Sequence, residues 1–411
     1  MKGIFVVLDG LGDLPNRQLN DKTPLEAAET PNLDFLANRG EIGSMYSIKP
    51  GYTPESDEAT LSIFGDDIHS NSRGQLEAAG AGIKLVRGDL ALRANFATVD
   101  SFPNGSILDR RVGRTLTTKE ANKLANDLNK IELPCKFTFK PTVQHRGVLV
   151  FRGGFSDDVT GNDLHYSKTS HSDKISLVRP TDDDENSQYT SNIINEFIEK
   201  AYEILKNHPV NEERKKKGLM PANYILVRGP GIEPLNLKFY RNWASMAYMP
   251  LEIGFSNVSG MNVFSFKYPR MKKYDVYENL YKGLKVACKI SIKAIKKSYK
   301  KYDYVYIHLK ETDIPGHDNK PIEKKTMIEY IDKKFFSFVK KFATKYKVKV
   351  LITGDHSTPC KLKTHSSDPV PVLLYNDSIP KENEFSERAA KSGSLGIILG
   401  KDLFEKTGFA G

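Results

Sequence analysis

Met1-Lys2-Gly3-Ile4-Phe5-Val6-Val7-Leu8-Asp9-Gly10 decides the fold class. Ile4–Leu8 is an apolar run with no alternation, which reads as a strand buried on both faces of a parallel sheet. It stops at an acid and a glycine, residues that turn a chain. The far end of the sequence repeats the pattern. Tyr302–Leu309 and Lys347–Thr353 read as strands that run out into Glu311-Thr312-Asp313 and Gly354-Asp355-His356. Val370–Tyr375 is a further strand. Helical periodicity lies between them, over Val276–Ser298 with a lysine-rich outer face and over Ile322–Phe342. The alternation predicts an α/β fold, an open parallel sheet with helices on both faces.

The middle of the chain is patterned differently. Leu92–Val99 alternates as a half-buried strand, and Gly147–Phe151 and Asn223–Val227 read as further strands, the last ending in Arg228-Gly229-Pro230-Gly231. Thr117–Leu128 and Ile193–Leu205 are helical. Ser156–Ser187 is polar, carries the acidic run Asp182–Glu185, and reads as a long functional loop. A single core stops growing at roughly 250–300 residues. The 411 residues therefore call for two domains, or one core with a large insertion.

Composition excludes several classes. With 39% hydrophobic and 27% charged residues the chain has enough apolar surface to fold, so disorder is excluded. The apolar runs are short, such as Ile4–Leu8 and Val148–Phe151, against the roughly 20 residues of a membrane span. The first residues read as a buried strand, not a signal peptide. Cys135, Cys288 and Cys360 are widely spaced without a Cys-x-x-Cys pair, which points to a reducing cytoplasm. The net charge of +10 sits largely in Lys215–Lys217 and Lys282–Lys301. No aromatic-interleaved basic module accompanies it, so a solvated lysine-rich surface is expected and no nucleic-acid partner.

Parallel sheets build sites beyond the carboxyl ends of their strands. Four segments bring chemistry to that edge: Asp9, Ser56 opening a predicted helix to Phe64, Asp313 with His317, and Asp355-His356 with His365. Singly these are ordinary, since Asp caps helices and turns and His serves as a buried polar group. Pro315-Gly316 between Asp313 and His317 argues for a loop there. Together, three Asp and three His on one edge suit Zn²⁺ or Mn²⁺, and the carboxylates also suit Mg²⁺. Six ligands fit two ions, which can clamp an in-line phosphoryl displacement. Ser56 stands where a metal-activated nucleophile would be, at a helix N-terminus that favours phosphate.

These residues resemble the alkaline phosphatase superfamily and, within it, the archaeal-type cofactor-independent phosphoglycerate mutases. The likeness rests on Asp9-Gly10, Ser56-Asp57, Asp313 with His317, and Gly354-Asp355-His356-Ser357-Thr358-Pro359 with His365. It extends to Leu76–Ile83, Asn95–Asp100, Asp109–Arg114 and His365–Val372, so it covers essentially the whole chain. The resemblance implies an alkaline-phosphatase-like three-layer core with a mostly parallel sheet, formed by residues 1–87 and 236–411. It implies an inserted smaller α/β domain over 88–235 that grips the substrate.

It further implies one ion on Asp313, His317 and His365, and a second on Asp9, Ser56, Asp355 and His356. The ions would be Mn²⁺ or Mg²⁺, with Zn²⁺ in the phosphatases. The implied reaction interconverts 3-phosphoglycerate and 2-phosphoglycerate through a phosphoserine on Ser56. Arginine suits carboxylate recognition, which makes Arg93, Arg110, Arg111, Arg114 and Arg228 the substrate-binding candidates. Asp163 and His165 are the acid–base candidates. Glu55 and Thr60 depart from the family, which more often has a small residue before the serine and an amide or His at the second position. A phosphomonoesterase on the same core is the competing reading. A polyanion-binding protein would need neither Ser56 nor the convergent ligands, and its binding would survive chelation.

Overall fold

The computed structural model describes residues 1–68, 72–163, 173–233, 235–271 and 274–410. The chain opens with β1 (Gly3–Leu8) and β2 (Gly40–Tyr46). It continues with β3 (Leu90–Val99), β4 (Ile107–Asp109), β5 (Phe137–Pro141), β6 (Arg146–Phe151) and β7 (Tyr224–Gly231). It ends with β8 (Trp243–Met246), β9 (Asn262–Phe264), β10 (Tyr304–Leu309), β11 (Lys349–Gly354), β12 (Val370–Tyr375) and β13 (Gly396–Leu399).

β1 is buried along its whole length. It lies inside an 8-stranded sheet of order β13-β2-β12-β11-β1-β10-β8-β9. It pairs in parallel with β10 and β11, and Leu8 is level with both Leu309 and Gly354. That register sets Asp9, Lys310 and Asp355 side by side, one residue beyond the ladder. Side chains alternate across the sheet. Ile4, Val6 and Leu8 pack with Leu33, Leu284, Met327 and Ile331 from helices Pro31–Asn38, Val276–Ser298 and Pro321–Ile331. Phe5 and Val7 pack on the opposite face with Leu61, Phe64, Phe255 and Leu403. The core is therefore helix, sheet, helix. Among the described residues no helix is long and apolar enough to cross a membrane.

A second, 5-stranded sheet collects β3 to β7 around β3, every residue of which is buried. Its pairings are all antiparallel. Helices Thr118–Leu128 and Glu185–Lys206 cover one face through Leu124, Leu128, Ile194 and Phe197. The other face meets helix Arg73–Gly80 through Ala78, Ala91, Val148 and Val150. This helix packs in turn against helix Pro250–Val258 of the core. Helix Arg73–Gly80 is thus the wedge between the two sheets.

Four expectations are corrected. β12 runs antiparallel to both neighbours, because the chain between Gly354 and Val370 forms no crossover helix to carry it back to the start of the sheet. Asp313–His317 is one turn of helix and not a loop, since proline is tolerated in a first turn. The amphipathic helix at 193–205 begins earlier, at Glu185, where Asp184 accepts from the Asn186 amide. The continuous helix read at 322–342 holds a π-helical segment at Asp332–Phe336.

Gly80 and Gly254 let the wedge helix and its core partner touch backbone to backbone. A Cβ on Gly80 would run into the Pro250 carbonyl, and one on Gly254 into the Leu76 carbonyl. Gly254→Ala is expected to lower the free energy of unfolding by about 1–3 kcal/mol in urea titrations. An unchanged midpoint would mean that the two helices can separate without loss.

Candidate active site

The loops leaving β1 and β11 are fastened to each other before any ligand binds. Gly10 adopts a positive φ of 60° and donates its N–H to Asp355 Oδ1 at 2.9 Å. The His356 N–H reaches the same oxygen at 2.9 Å. Below them Lys324, 0% exposed, donates to Asp13 Oδ2 (2.9 Å) and to the carbonyls of Gly12 and Thr358 (3.1 Å each). A buried ammonium thus ties both loops under the site.

Above this base the side chains converge. His356 Nε2 lies 3.5 Å from Asp9 Oδ1, 3.5 Å from Asp355 Oδ2 and 3.2 Å from Ser56 Oγ. Ser56 is the first residue of helix Ser56–Ile63, so its hydroxyl sits at the amino end of that helix. Asp313 Oδ2 is 3.4 Å from His317 Nε2, and Asp313 Oδ1 is 3.9 Å from His365 Nε2. Donor atoms of Asp313, His317 and His365 lie within 4.8 Å of one another, as do those of Asp9, Asp313 and His356. Each helical turn or strand end contributes one or two donors, which is why residues so distant in sequence meet here.

Outer hydrogen bonds set the imidazole tautomers. His365 Nδ1 donates to the Pro54 carbonyl (2.9 Å) and His317 Nδ1 to the Lys363 carbonyl (3.0 Å). Thr358 Oγ1 donates to Asp313 Oδ1 (2.8 Å) and so accepts from His356 Nδ1 (3.0 Å). In the neutral form of each ring Nε2 then carries the lone pair and faces the centre, the arrangement of metal-binding histidines. Burial pushes the His356 imidazole down to about 3, so the ring is neutral.

The carboxylates fit a divalent cation. Asp9 and Asp355 are 1% and 0% exposed, and among the described residues Asp9 Oδ1 and Asp355 Oδ2 have no hydrogen-bond partner. Buried carboxylates together with imidazole nitrogens form a hard, anionic donor set suited to Mn²⁺, Mg²⁺ or Zn²⁺. The sequence reading missed Lys310, whose ammonium forms ion pairs with Asp9 and, at 2.8 Å, with Glu252. The strand signal at Tyr302–Leu309 could have found it, since Lys310 is the first residue past the ladder. It also missed His308, whose Nε2 lies 3.5 Å from Asp9 Oδ2 and 3.6 Å from Asp355 Oδ2.

Beside Ser56 a cavity of about 120 Å³ opens between the two sheets, lined by Arg73, Arg93, Arg111, Arg114, Arg146 and Arg228 among others. Arg93, Arg111, Arg114 and Arg228 are sequence candidates. Arg110 lies outside it, paired with Asp163 (3.1 Å) and Asp173 (3.0 Å). Asp163 is likewise not in its wall, and His165 lies outside the described residues. Arg73 and Arg146 went unpredicted. Arg146 stands opposite Asn95 in the β3–β6 ladder, and Arg228 opposite Arg93 in the β3–β7 ladder. Strand pairing places them, and a single sequence does not give pairing.

Carboxylates hold the arginines in place. Glu77 accepts from Arg73 (3.0 Å) and Arg93 (2.7 Å), both nearly buried. Glu55 is 3.3 Å from both Arg73 and Arg228. Burial pushes the Glu55 carboxyl up, but Arg228, His365 and Arg73 outweigh it and hold the group well below the usual carboxylate range. Burial and Arg73 bring Arg93 down to about 9, still charged at neutral pH. Thr60 donates its hydroxyl to the Ser56 carbonyl at 2.7 Å.

The family described as 2,3-bisphosphoglycerate-independent phosphoglycerate mutase matches residues 37–211. A protein of that name from Pyrococcus furiosus is 40% identical over 414 residues, covering 98% of this chain and 95% of its own. One from Methanocaldococcus jannaschii is 37% identical over 414 residues, covering 98% and 96%. Among solved structures, the PH0037 protein of Pyrococcus horikoshii superposes with a TM-score of 0.73 at 31% identity, over 100% of this chain and 98% of that one. The cofactor-independent phosphoglycerate mutase of Thermoplasma acidophilum gives a TM-score of 0.57 at 30% identity, over 98% of each chain.

Thr358 orients His356 and Asp313 at once. Thr358→Val is expected to weaken Mn²⁺ binding roughly 10–100-fold by calorimetry, with an unchanged far-ultraviolet circular dichroism spectrum. Binding as tight as in the unmodified protein would mean that the Nε2 atoms face the centre without this relay.

Proposed function

This chain belongs to the 2,3-bisphosphoglycerate-independent phosphoglycerate mutase family, and from that premise we propose how its residues carry out the reaction. The protein is an isomerase that interconverts 3-phosphoglycerate and 2-phosphoglycerate, its substrate is a small phosphorylated anion, and its chemistry uses divalent metal. We assign one ion to Asp313, His317 and His365 and a second to Asp9, Ser56, Asp355 and His356, either Mn²⁺ or Mg²⁺, with Zn²⁺ the alternative. When bound, the ions would acidify the Ser56 hydroxyl and offset charge on the phosphoryl oxygens.

The observation that carries the assignment is the Ser56 hydroxyl, 3.2 Å from His356 Nε2 and in the wall of the arginine-lined cavity. Ser56 Oγ attacks phosphorus and the bond to the glycerate oxygen breaks, leaving phosphoserine and glycerate. Arg93, Arg111, Arg114 and Arg228, with Arg73 and Arg146, hold the glycerate carboxylate and hydroxyls while it turns. Its other hydroxyl then takes the phosphoryl group back, and Ser56 is regenerated. Residues 88–235, which carry most of these arginines, serve as the substrate-gripping domain and keep water from the phosphoserine. Cys135, Cys288 and Cys360 are all free thiols, which fits a reducing cytoplasm.

Phosphorus NMR tests this reading on chelator-stripped protein given 3-phosphoglycerate and then Mn²⁺, Mg²⁺ or Zn²⁺. Growth of 2-phosphoglycerate without free phosphate is expected, whereas free phosphate alone would make the protein a phosphatase. Ser56→Ala is expected to lower turnover by at least roughly 10³-fold while Mn²⁺ still binds, since each site keeps its Asp and His ligands. A Ser56→Ala protein that isomerises normally would overturn the phosphoserine route.

A further inference from the structure

Outside the catalytic cavity lies a second one of about 630 Å³, lined by Arg110, Arg111, Arg114, Lys320 and Lys363 against Asp109, Asp173 and Asp318. Five cations thus face three carboxylates. Arg111, Arg114, Val276 and His317 belong to both cavities, so the two share a wall. The carboxylates are already engaged. Asp109 Oδ1 accepts from the Arg111 and Gly113 amides at 2.7 and 2.9 Å. Asp173 is 79% exposed and pairs with Arg110. Asp318 accepts from Arg114 at both oxygens and from the Tyr277 hydroxyl at 2.9 Å. Lys320 lies 3.8 Å above the Tyr277 ring. The Arg114–Asp318 pair therefore stands in the wall between the outer and the inner cavity.

We propose that the outer cavity is a capture site for phosphorylated anions, from which the substrate passes to the catalytic cavity as it displaces Asp318 from Arg114. The site rests on the mutase reading and extends it. It gives Arg110 a place, since Arg110 faces this cavity and not the catalytic one. An anion arriving here meets an excess of positive charge with low-dielectric walls, which raises its local concentration and its rate of capture. Arg114 then offers it a guanidinium fork in exchange for a carboxylate, a like-for-like replacement with little loss of pairing.

The test uses the metal-loaded full chain and 3-phosphoglycerate, with kcat and kcat/KM measured at about 0.01 M and about 1 M ionic strength, where the screening length is about 30 Å and about 3 Å. Lys320 is exposed and stacks on Tyr277, outside the wall of the catalytic cavity. Lys320→Glu is expected to lower kcat/KM roughly three- to tenfold at low ionic strength, with kcat unchanged and no difference at high ionic strength. Lys320→Gln should give a smaller loss of the same kind. Lys2→Glu, the same charge change at the start of β1 and so at the far edge of the sheet, should behave as the unmodified protein. A Lys320→Glu kcat/KM equal to that of the unmodified protein at low ionic strength would overturn the capture site. So would an equal loss in Lys2→Glu, or a fall in kcat that salt does not remove. An unmodified protein that makes no 2-phosphoglycerate would instead refute the functional reading, and the capture site with it.

Discussion

Carboxylates buried at the ends of in-register parallel strands are the constraint on which the site depends. Removing an ionised carboxylate from water costs several kcal/mol even after relaxation, unless a cation faces it. Asp9 and Asp355 are both removed in this way, and part of their acceptor capacity has no protein donor. Lys310 answers Asp9 with one charge and shares it with Glu252. The His356 imidazole, kept neutral by burial, supplies a lone pair and no charge. The balance left over is negative, and it calls for cations of higher charge at the atoms where chemistry occurs. Holding those carboxylates together without metal falls to the structure below them. Lys324 joins the loops after β1 and β11, and the Gly10 and His356 amides share one oxygen of Asp355. The unfavourable geometry is thus built into the fold and does not have to be assembled when an ion arrives.

The arginine cavity solves the opposite problem. Six guanidinium groups in one cavity repel one another, and burial makes the repulsion stronger. Glu77 and Glu55 sit between them, and each reaches two arginines. The pairs hold the guanidinium planes in fixed orientations, so little side-chain freedom is lost when an anion binds. This gives a physical account of Glu55, which beside a nucleophile and an anionic substrate looks unfavourable when considered alone. Arg73 and Arg228 face it, and its charge is used to organise theirs.

Much of this was legible in the sequence, and the limits have definite causes. Buried parallel strands announce themselves as unbroken apolar runs, so β1 and β10 were readable, and the residues that follow them carried the metal-ligand pattern. Ser56, Asp9, Asp313, His317, Asp355, His356 and His365 do meet, because strand ends and helix starts are local features that a sequence reports. The antiparallel return of β12 was hidden, since direction depends on where the chain goes between strands. Arg146 and Arg73 were hidden for a related reason. Their function comes from being across a ladder or across a helix interface from other residues, and one sequence holds no record of pairing. Pro315-Gly316 misled in the other direction. Helix breakers suggest a loop, although the single turn from Asp313 to His317 has room for a proline near its start.

A mutase differs from a hydrolase in what it must retain, and the arrangement of the two sheets bears on that. A hydrolase needs only a nucleophile and ligands for its ions, and the candidates for both, Ser56 and the Asp and His cluster, belong here to the core. Retaining glycerate requires a second surface opposite the first, close enough to exclude water but attached firmly enough to stay in register. Helix Arg73–Gly80 provides the attachment. It packs on β3 and β7 on one side and, through Gly80 and Gly254, against the core backbone on the other. The same helix carries Arg73 and Glu77 into the cavity wall. Arg73 pairs with Glu55 and Asp57 at the start of helix Ser56–Ile63 and Glu77 with Arg93 of the smaller sheet, so every shift of one sheet against the other strains an ion pair beside Ser56. The distance between Ser56 and the arginines is therefore set by close-packed backbone and not by flexible side chains, which is what the proposed reaction needs when its intermediate must wait for glycerate to turn.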